Sequence, residues 1–269
     1  MGFRVTGVLW DDGENHVYQD SIIKRIIMQH TIKSLTGYQI RATDGDIGEV
    51  KEFYFNDETW VVRYLIIETG SWLNGRKTLL SPQAVLMTDP VIKVFSVNLS
   101  KEQIRKSPDI NTDQPVSHRL ETELYQHYSW QRYGGGGFYA GGSAGLLNLA
   151  PLPDESNNPT LLDAADNSEY DPHLRSTERV TDYHIHATDE DLGHVKDFII
   201  DDKAWTITDL IIDTHNWIGR KKVLLPVRHV KNIDWENFKV ITDVSADFIK
   251  DCTAFDAAKL NLSELHVSQ

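Results

Sequence analysis

Apolar and polar positions alternate from Gln39 to Ala42, and after Asp44-Gly45-Asp46-Ile47-Gly48 a second segment runs from Glu49 to Asn56. Short alternating runs separated by Asp and Gly predict strands joined by tight turns. Asp57-Glu58-Thr59 marks the next turn, and Trp60 to Glu68 is dense in β-branched, aliphatic and aromatic residues, which predicts a buried strand. Thr78-Leu79-Leu80 and Val91 to Val97 add two more strands, divided by a turn at Asp89-Pro90. Ser100 followed three positions later by Gln103 is a helix-start signature, with Ile104 facing inward and Pro108 ending the helix. Five or so short strands leave costly edges unless the sheet curls up, so a small barrel closed by a short helix is the expected unit.

The unit occurs twice. Tyr38-Gln39-Ile40-Arg41-Ala42-Thr43-Asp44 returns as Tyr183-His184-Ile185-His186-Ala187-Thr188-Asp189, 145 positions later. At that offset, 16 of the 32 pairs between Tyr38 and Thr69 and their counterparts are identical, too many for chance. A period this long means two whole domains rather than a solenoid. The fold class is therefore mainly β: two tandem barrels, at residues 31–108 and 173–253. Residues 1–30 read as a weakly ordered extension, since Met28-Gln29-His30-Thr31 resembles a natural start, and residues 254–269 read as a tail. Between the barrels, residues 109–172 form a linker in which Ser117 to Tyr128 predicts a helix, followed by Gly-rich and then Pro-rich, acidic stretches. Units of about 75 residues bury a limited share of their surface, so packing of the copies together, or self-association, is expected to help.

Charge narrows the partners. With 40 acidic and 27 basic residues the formal charge is −13, which argues against nucleic acid and anionic membranes, both of which select clustered Lys and Arg. No apolar run approaches a membrane span, and Cys252, the single cysteine, permits neither an internal disulfide nor a cysteine metal cage. These features fit a cytoplasmic protein, without membrane insertion, with Cys252 as a small packing residue. Met1-Gly2-Phe3-Arg4-Val5-Thr6 matches a myristoylation pattern only by its letters.

Four groups of residues could carry chemistry. Gly141-Gly142-Ser143-Ala144-Gly145 has the letters of a nucleophile elbow but sits in the Gly-rich linker without a preceding strand. Asp44-Gly45-Asp46 and Asp189-Glu190-Asp191 lack the spacing of a calcium loop and suit tight turns. His184 and His186 lie two apart on one strand face, with His194 near them across the hairpin, a candidate zinc or small-ligand face present in one copy alone. Trp72, Arg76 and Lys77, with Trp217, Arg220 and Lys221 in the second copy, set an aromatic beside cations in the same loop, either a partner-binding surface or a seal on the barrel. Trp60 and Trp205 open buried strands and read as core.

The two copies resemble PRC-barrel domains. The resemblance rests on Gly48-Glu49-Val50-Lys51-Glu52-Phe53-Tyr54-Phe55 and Asp57-Glu58-Thr59-Trp60 in the first copy, and on Gly193-His194-Val195-Lys196-Asp197-Phe198-Ile199-Ile200, Asp201-Asp202 and Trp205 in the second. The arrangement is similar to bacterial two-barrel members of that family. The resemblance implies small β-barrels that dock on other molecules, as in the cytoplasmic domain of the photosynthetic reaction centre H subunit and the C-terminal domain of a ribosome-maturation factor. It implies no catalytic residues and no cofactor. The expected function is a non-enzymatic protein-binding or scaffold module with an unidentified protein partner. The alternatives are a metal or small-ligand protein using the histidine face, and an accessory factor of photosynthetic or ribosomal machinery.

Overall fold

The computed structural model describes residues 29–108, 110, 116–130, 170–214 and 222–262. The readings made for residues 1–28, for the Gly141 to Gly145 motif and for the end of the tail fall outside them. The first copy contains β1 (Gln29–Thr31), α1 (Ile32–Leu35), β2 (Gln39–Ala42), β3 (Gly45–Asn56), β4 (Val62–Thr69), β5 (Lys77–Leu80), β6 (Val85–Asp89), β7 (Val94–Val97) and α2 (Lys101–Arg105). After it comes α3 (His118–Tyr128). The second copy repeats the order as β8 (Leu174–Ser176), α4 (Thr177–Val180), β9 (His184–His186), β10 (Asp191–Asp201), β11 (Thr206–Asp213), β12 (Lys222–Pro226), β13 (Val230–Asp234), β14 (Lys239–Thr242) and α5 (Ala246–Asp251). A last helix, α6, spans Ala257–Leu262.

Each copy builds a seven-stranded sheet. The first runs β5-β4-β3-β2-β7-β6 and the second β12-β11-β10-β9-β14-β13. β2 pairs with β7, and β9 with β14, in parallel, while the other pairs on these paths are antiparallel. The 3-10 turn Pro82–Ala84 connects the terminal strands β5 and β6, and the Asn98 amide donates to the Ala84 carbonyl. The capping box expected at Ser100 is present: the Ser100 hydroxyl accepts from the Gln103 amide while the Gln103 side chain accepts from the Ser100 amide. Ser245 caps α5 in the same place. Ile104 and Ile249 are fully buried, so these helices close the two units as expected.

The seventh strand of each sheet comes from the other copy. β1 pairs antiparallel with β10, matching Gln29 to Asp201 and Thr31 to Ile199, and β8 pairs with β3, matching Leu174 to Asn56 and Ser176 to Tyr54. Shifted by 145, the two registers are the same, so the exchange is reciprocal and the copies are related by a pseudo-two-fold. Gln29 and His30, read from sequence as part of a weakly ordered extension, are therefore sheet residues. The exchange continues in the turns: the Val62 amide donates to the Trp205 carbonyl at 2.7 Å and the Ile207 amide to the Trp60 carbonyl at 2.8 Å. Trp60 and Trp205 do not open strands. They take left-handed conformations, with φ of 60° and 51°, which bulky residues adopt only when their surroundings enforce it. Their rings explain why: Trp60 stacks on Phe55, Phe55 meets Phe198 of the other copy, and Trp205 packs on Phe95 of the first. The buried residues of both copies consequently form one continuous core.

The predicted linker helix exists and is part of that core. Ser117 caps α3, which buries Leu124, Tyr125 and Tyr128. Arg63 and the Tyr64 hydroxyl both bond to the Glu121 carboxylate, and Arg63 also lies 3.7 Å from Asp171. Burial pushes the Tyr64 phenol well above its ordinary range, which keeps it a hydrogen-bond donor.

Where exchanged elements meet, carboxylates are buried. Glu52 accepts from the Ser176 hydroxyl, and its symmetry mate Asp197 accepts from the Lys33 amide at 3.1 Å. Burial raises the pKa of both acids. A carboxyl whose folded pKa lies above its unfolded value opposes folding once ionised, so its contribution is best below the unfolded pKa and is lost as pH rises through the folded pKa. Glu52→Gln retains an acceptor for Ser176 and removes the charge. It should stabilise the protein by up to about 1 kcal/mol at neutral pH and have no such benefit near pH 4, as read by denaturant titrations at the two pH values.

Candidate binding site

The histidine face forms only in part. His184 pairs with His194 across β9 and β10, but His186 lies opposite Asp191. Asp191 is held by His186 and, at 3.0 Å, by Lys239, and the His186 hydrogen bond followed by that of Lys239 lowers its pKa. His194 faces Asp182 at 3.8 Å. Among the described residues, no group of three or more His, Cys, Asp or Glu side chains is arranged to hold a metal ion. The Asp turns are structural: Asp44 accepts from the Lys101 amide and Asp189 from the Ala246 amide, each tying a turn to the start of its closing helix. Cys252 packs partly buried against the core.

The Trp72 loop folds back on its own barrel. The indole N–H donates to the Ile47 carbonyl, and the cations over the ring are Lys101 and Arg105 from α2, at 5.6 and 5.8 Å, rather than its neighbours in sequence. Arg76 reaches the carbonyls of Arg105 and Ser107. Lys77 is exposed at the start of β5. Trp217, Arg220 and Lys221 lie outside the described residues.

Two surface features answer to no residue singled out from sequence. A pocket of about 720 Å³ opens where the copies meet, walled by Tyr54 of β3, the β8–α4 segment, Tyr183 and the β13–β14 hairpin with Trp235 and Phe238. On the first copy, the edge strand β6 and the following turn expose Leu86 (68 %), Met87 (55 %), Val91 (87 %) and Ile92 (57 %). Val85 to Thr88 also line a groove of about 390 Å³ with Asp202, Lys203 and Trp205 of the second copy.

The model of the PRC-barrel domain matches residues 28–104 and 185–249, just over half of the chain. The chain belongs to the PRC-barrel family. No curated protein matches it. No helix among the described residues is long and apolar enough to cross a membrane.

Since both PRC barrels share one backbone plan, a difference between equivalent positions is not something the fold imposes. Leu86, Met87, Val91 and Ile92 correspond to Lys231, Asn232, Glu236 and Asn237, all exposed. At these four positions the hairpin is apolar on the first barrel and polar on the second, whose own exposed rings, Trp235 and Phe238, stand at other positions of the hairpin. Around the pocket the difference runs the other way: Arg179, Trp235 and Phe238 correspond to Ser34, Pro90 and Lys93. Each barrel carries one specialised face. The signal for both was in the sequence, at the positions where the aligned copies disagree.

Proposed function

We propose that the protein is a non-enzymatic binding module in which the exchanged PRC barrels act as one rigid platform and the β6–β7 hairpin docks a partner protein. The observation that carries this reading is the replacement of four exposed polar residues of the second barrel by Leu86, Met87, Val91 and Ile92 in the first. Four large apolar side chains on one hairpin oppose solubility without helping the fold, which is the mark of an interaction surface. β6 is also the end of its sheet path, beside the groove it lines with Asp202, Lys203 and Trp205, and a strand at a sheet end can accept a partner's strand as well as its side chains. On the second barrel the edge carries Lys231, a residue that discourages strand addition.

The combined variant Leu86→Lys, Met87→Asn, Val91→Glu and Ile92→Asn transplants the second barrel's residues onto the first. Its unfolding free energy should stay within about 0.5 kcal/mol of the parent for each surface change. Affinity capture from the native cell, with quantitative mass spectrometry, should show at least one protein recovered with the parent and reduced about tenfold or more with the variant. An identical set of recovered proteins would rule out the hairpin as the docking face.

A further inference from the structure

The inter-barrel pocket is a second site, separate from the hairpin of the first barrel. Its volume of about 720 Å³ lies within the range of small-molecule sites. Aromatic rings supply the walls: Tyr54 and Tyr183 are buried, while Trp235 and Phe238 stand exposed at the hairpin. Tyr183 and Phe238 meet edge to face with centroids 5.5 Å apart, so the wall is partly assembled.

The charges lining the pocket are unequal in their availability. Arg175 is committed to Asp57, with Nε 2.8 Å from the carboxylate. Asp171 accepts from the His173 amide at 2.8 Å and faces Arg63. The Ser176 hydroxyl donates to Glu52. Glu236 is exposed on the hairpin. Arg179 is exposed and has no salt bridge among the described residues. Its guanidinium acts on the Tyr183 phenol: burial raises that phenol's pKa, and Arg175 and Arg179 oppose the rise. Arg179 also lowers the pKa of Glu52 through its charge, but it makes no contact ion pair among the described residues, so a cation stands beside the aromatic wall with its guanidinium open to a ligand.

We propose that this pocket binds a small organic anion with a flat apolar body, an aryl carboxylate in its simplest form, whose ring lies against Trp235, Phe238 and Tyr183 and whose carboxylate meets Arg179. The equivalent place on the other side of the pseudo-two-fold carries Ser34, Pro90 and Lys93, so it lacks both the rings and the arginine. Guanidinium and carboxylate are matched in geometry as well as charge. The net charge of −13 repels anions at long range, which leaves discrimination to contact with Arg179.

The test is calorimetric titration of the full chain with naphthalene-2-carboxylate and with its neutral carboxamide. The carboxylate should bind about tenfold more tightly than the amide, as a charge-assisted hydrogen bond predicts. Arg179→Ser should bring that ratio to about one while leaving the amide's affinity unchanged. Phe238→Lys should weaken the amide about fivefold or more through the lost ring contact. Both variants install the residue found on the equivalent backbone of the first barrel, where Lys93 has the same left-handed φ as Phe238, 55° against 54°, so folding is preserved. Equal affinity for acid and amide, no binding of either, an acid preference that survives Arg179→Ser, or an unchanged amide affinity in Phe238→Lys would each overturn the assignment.

Discussion

Gly48→Ala is expected to be the most damaging glycine-to-alanine change among the described residues. Gly48 lies in β3 opposite Ile40 of β2 and Thr69 of β4 at once. A Cβ there would sit 1.9 Å from the Glu68 carbonyl oxygen and 2.8 Å from both the Glu68 carbonyl carbon and the Thr69 Cα. All three are backbone atoms of a paired strand, so no side chain can swing aside, and β3 and β4 must separate. Their ladder runs from Gly48 to Phe55 and carries Leu65, Ile66 and Ile67 of the core. A loss of roughly 4 kcal/mol or more follows from such forced overpacking, a large share of the ~5–15 kcal/mol that holds a typical domain folded. Gly193 is the symmetry mate, and its Cβ would meet the Asp213 carbonyl oxygen at 2.3 Å with φ at +55°. Gly193→Ala should therefore also destabilise, but by less, because the other two contacts open to 3.1 and 3.2 Å. Denaturant unfolding of the two variants gives the comparison, and a Gly48→Ala protein with the parent's midpoint would contradict this account of the strand contact.

Those glycines belong to the part of the protein that sequence makes legible. Matched pairs such as Gly48/Gly193, Phe53/Phe198 and Trp60/Trp205 identify framework positions because two copies of one backbone demand the same side chains. The closing helices were readable for a local reason: a cap and a stop residue act within four positions. The exchange of β1 and β8 was not readable. Each is three residues long, too short for a period of two to register, and its partner lies in the other copy, so nothing in its own sequence names the strand it joins. The turn after β6 misled for a different reason. Val91 and Ile92 read as the start of a strand because they are apolar and β-branched, yet they occupy an exposed turn before β7 (Val94–Val97), and β6 itself was missed because Leu86 and Met87 interrupt the alternation. Both errors arise at the residues that the proposed docking face uses, where local pattern serves binding and departs from the fold's own preference. The connector shows a similar limit. Its helix was evident from Ser117 onward, but burial of Leu124, Tyr125 and Tyr128 against the first barrel depends on tertiary partners such as Arg63 and Tyr64.

Expressed alone, neither barrel should fold as a monomer. A fragment of residues 1–130 keeps β1 but loses β10, on which β1 pairs, and loses β8, which covers β3. It also loses the hydrogen bonds that fix Trp60 and Val62 and the contacts of Phe55 with Phe198 and of Phe95 with Trp205. Phe55, Phe95 and Val62, all buried in the whole protein, would then face water, at a cost of about 1.5–3 kcal/mol for each large apolar side chain. The left-handed turn at Trp60 would lose the partner that holds it, adding strain of about 1–3 kcal/mol. These losses together approach the whole stability of a small domain. One rescue is built in: the registers of β1 and β8 are equivalent, so two copies of the fragment can exchange their own β1 strands and rebuild the missing edge as a true two-fold dimer. Sedimentation equilibrium and circular dichroism across a dilution series should therefore show folded dimer at high concentration and unfolded chain on dilution. Adding residues 170–269 should restore a one-to-one complex that resists dilution better than the homodimer, because only the natural pair sets His173 and Arg175 on Asp57, where the equivalent positions of a second fragment hold Met28 and His30. A folded, cooperatively unfolding monomer of residues 1–130 would mean that the exchanged strands decorate two independent barrels, and the single-platform reading would fall with it.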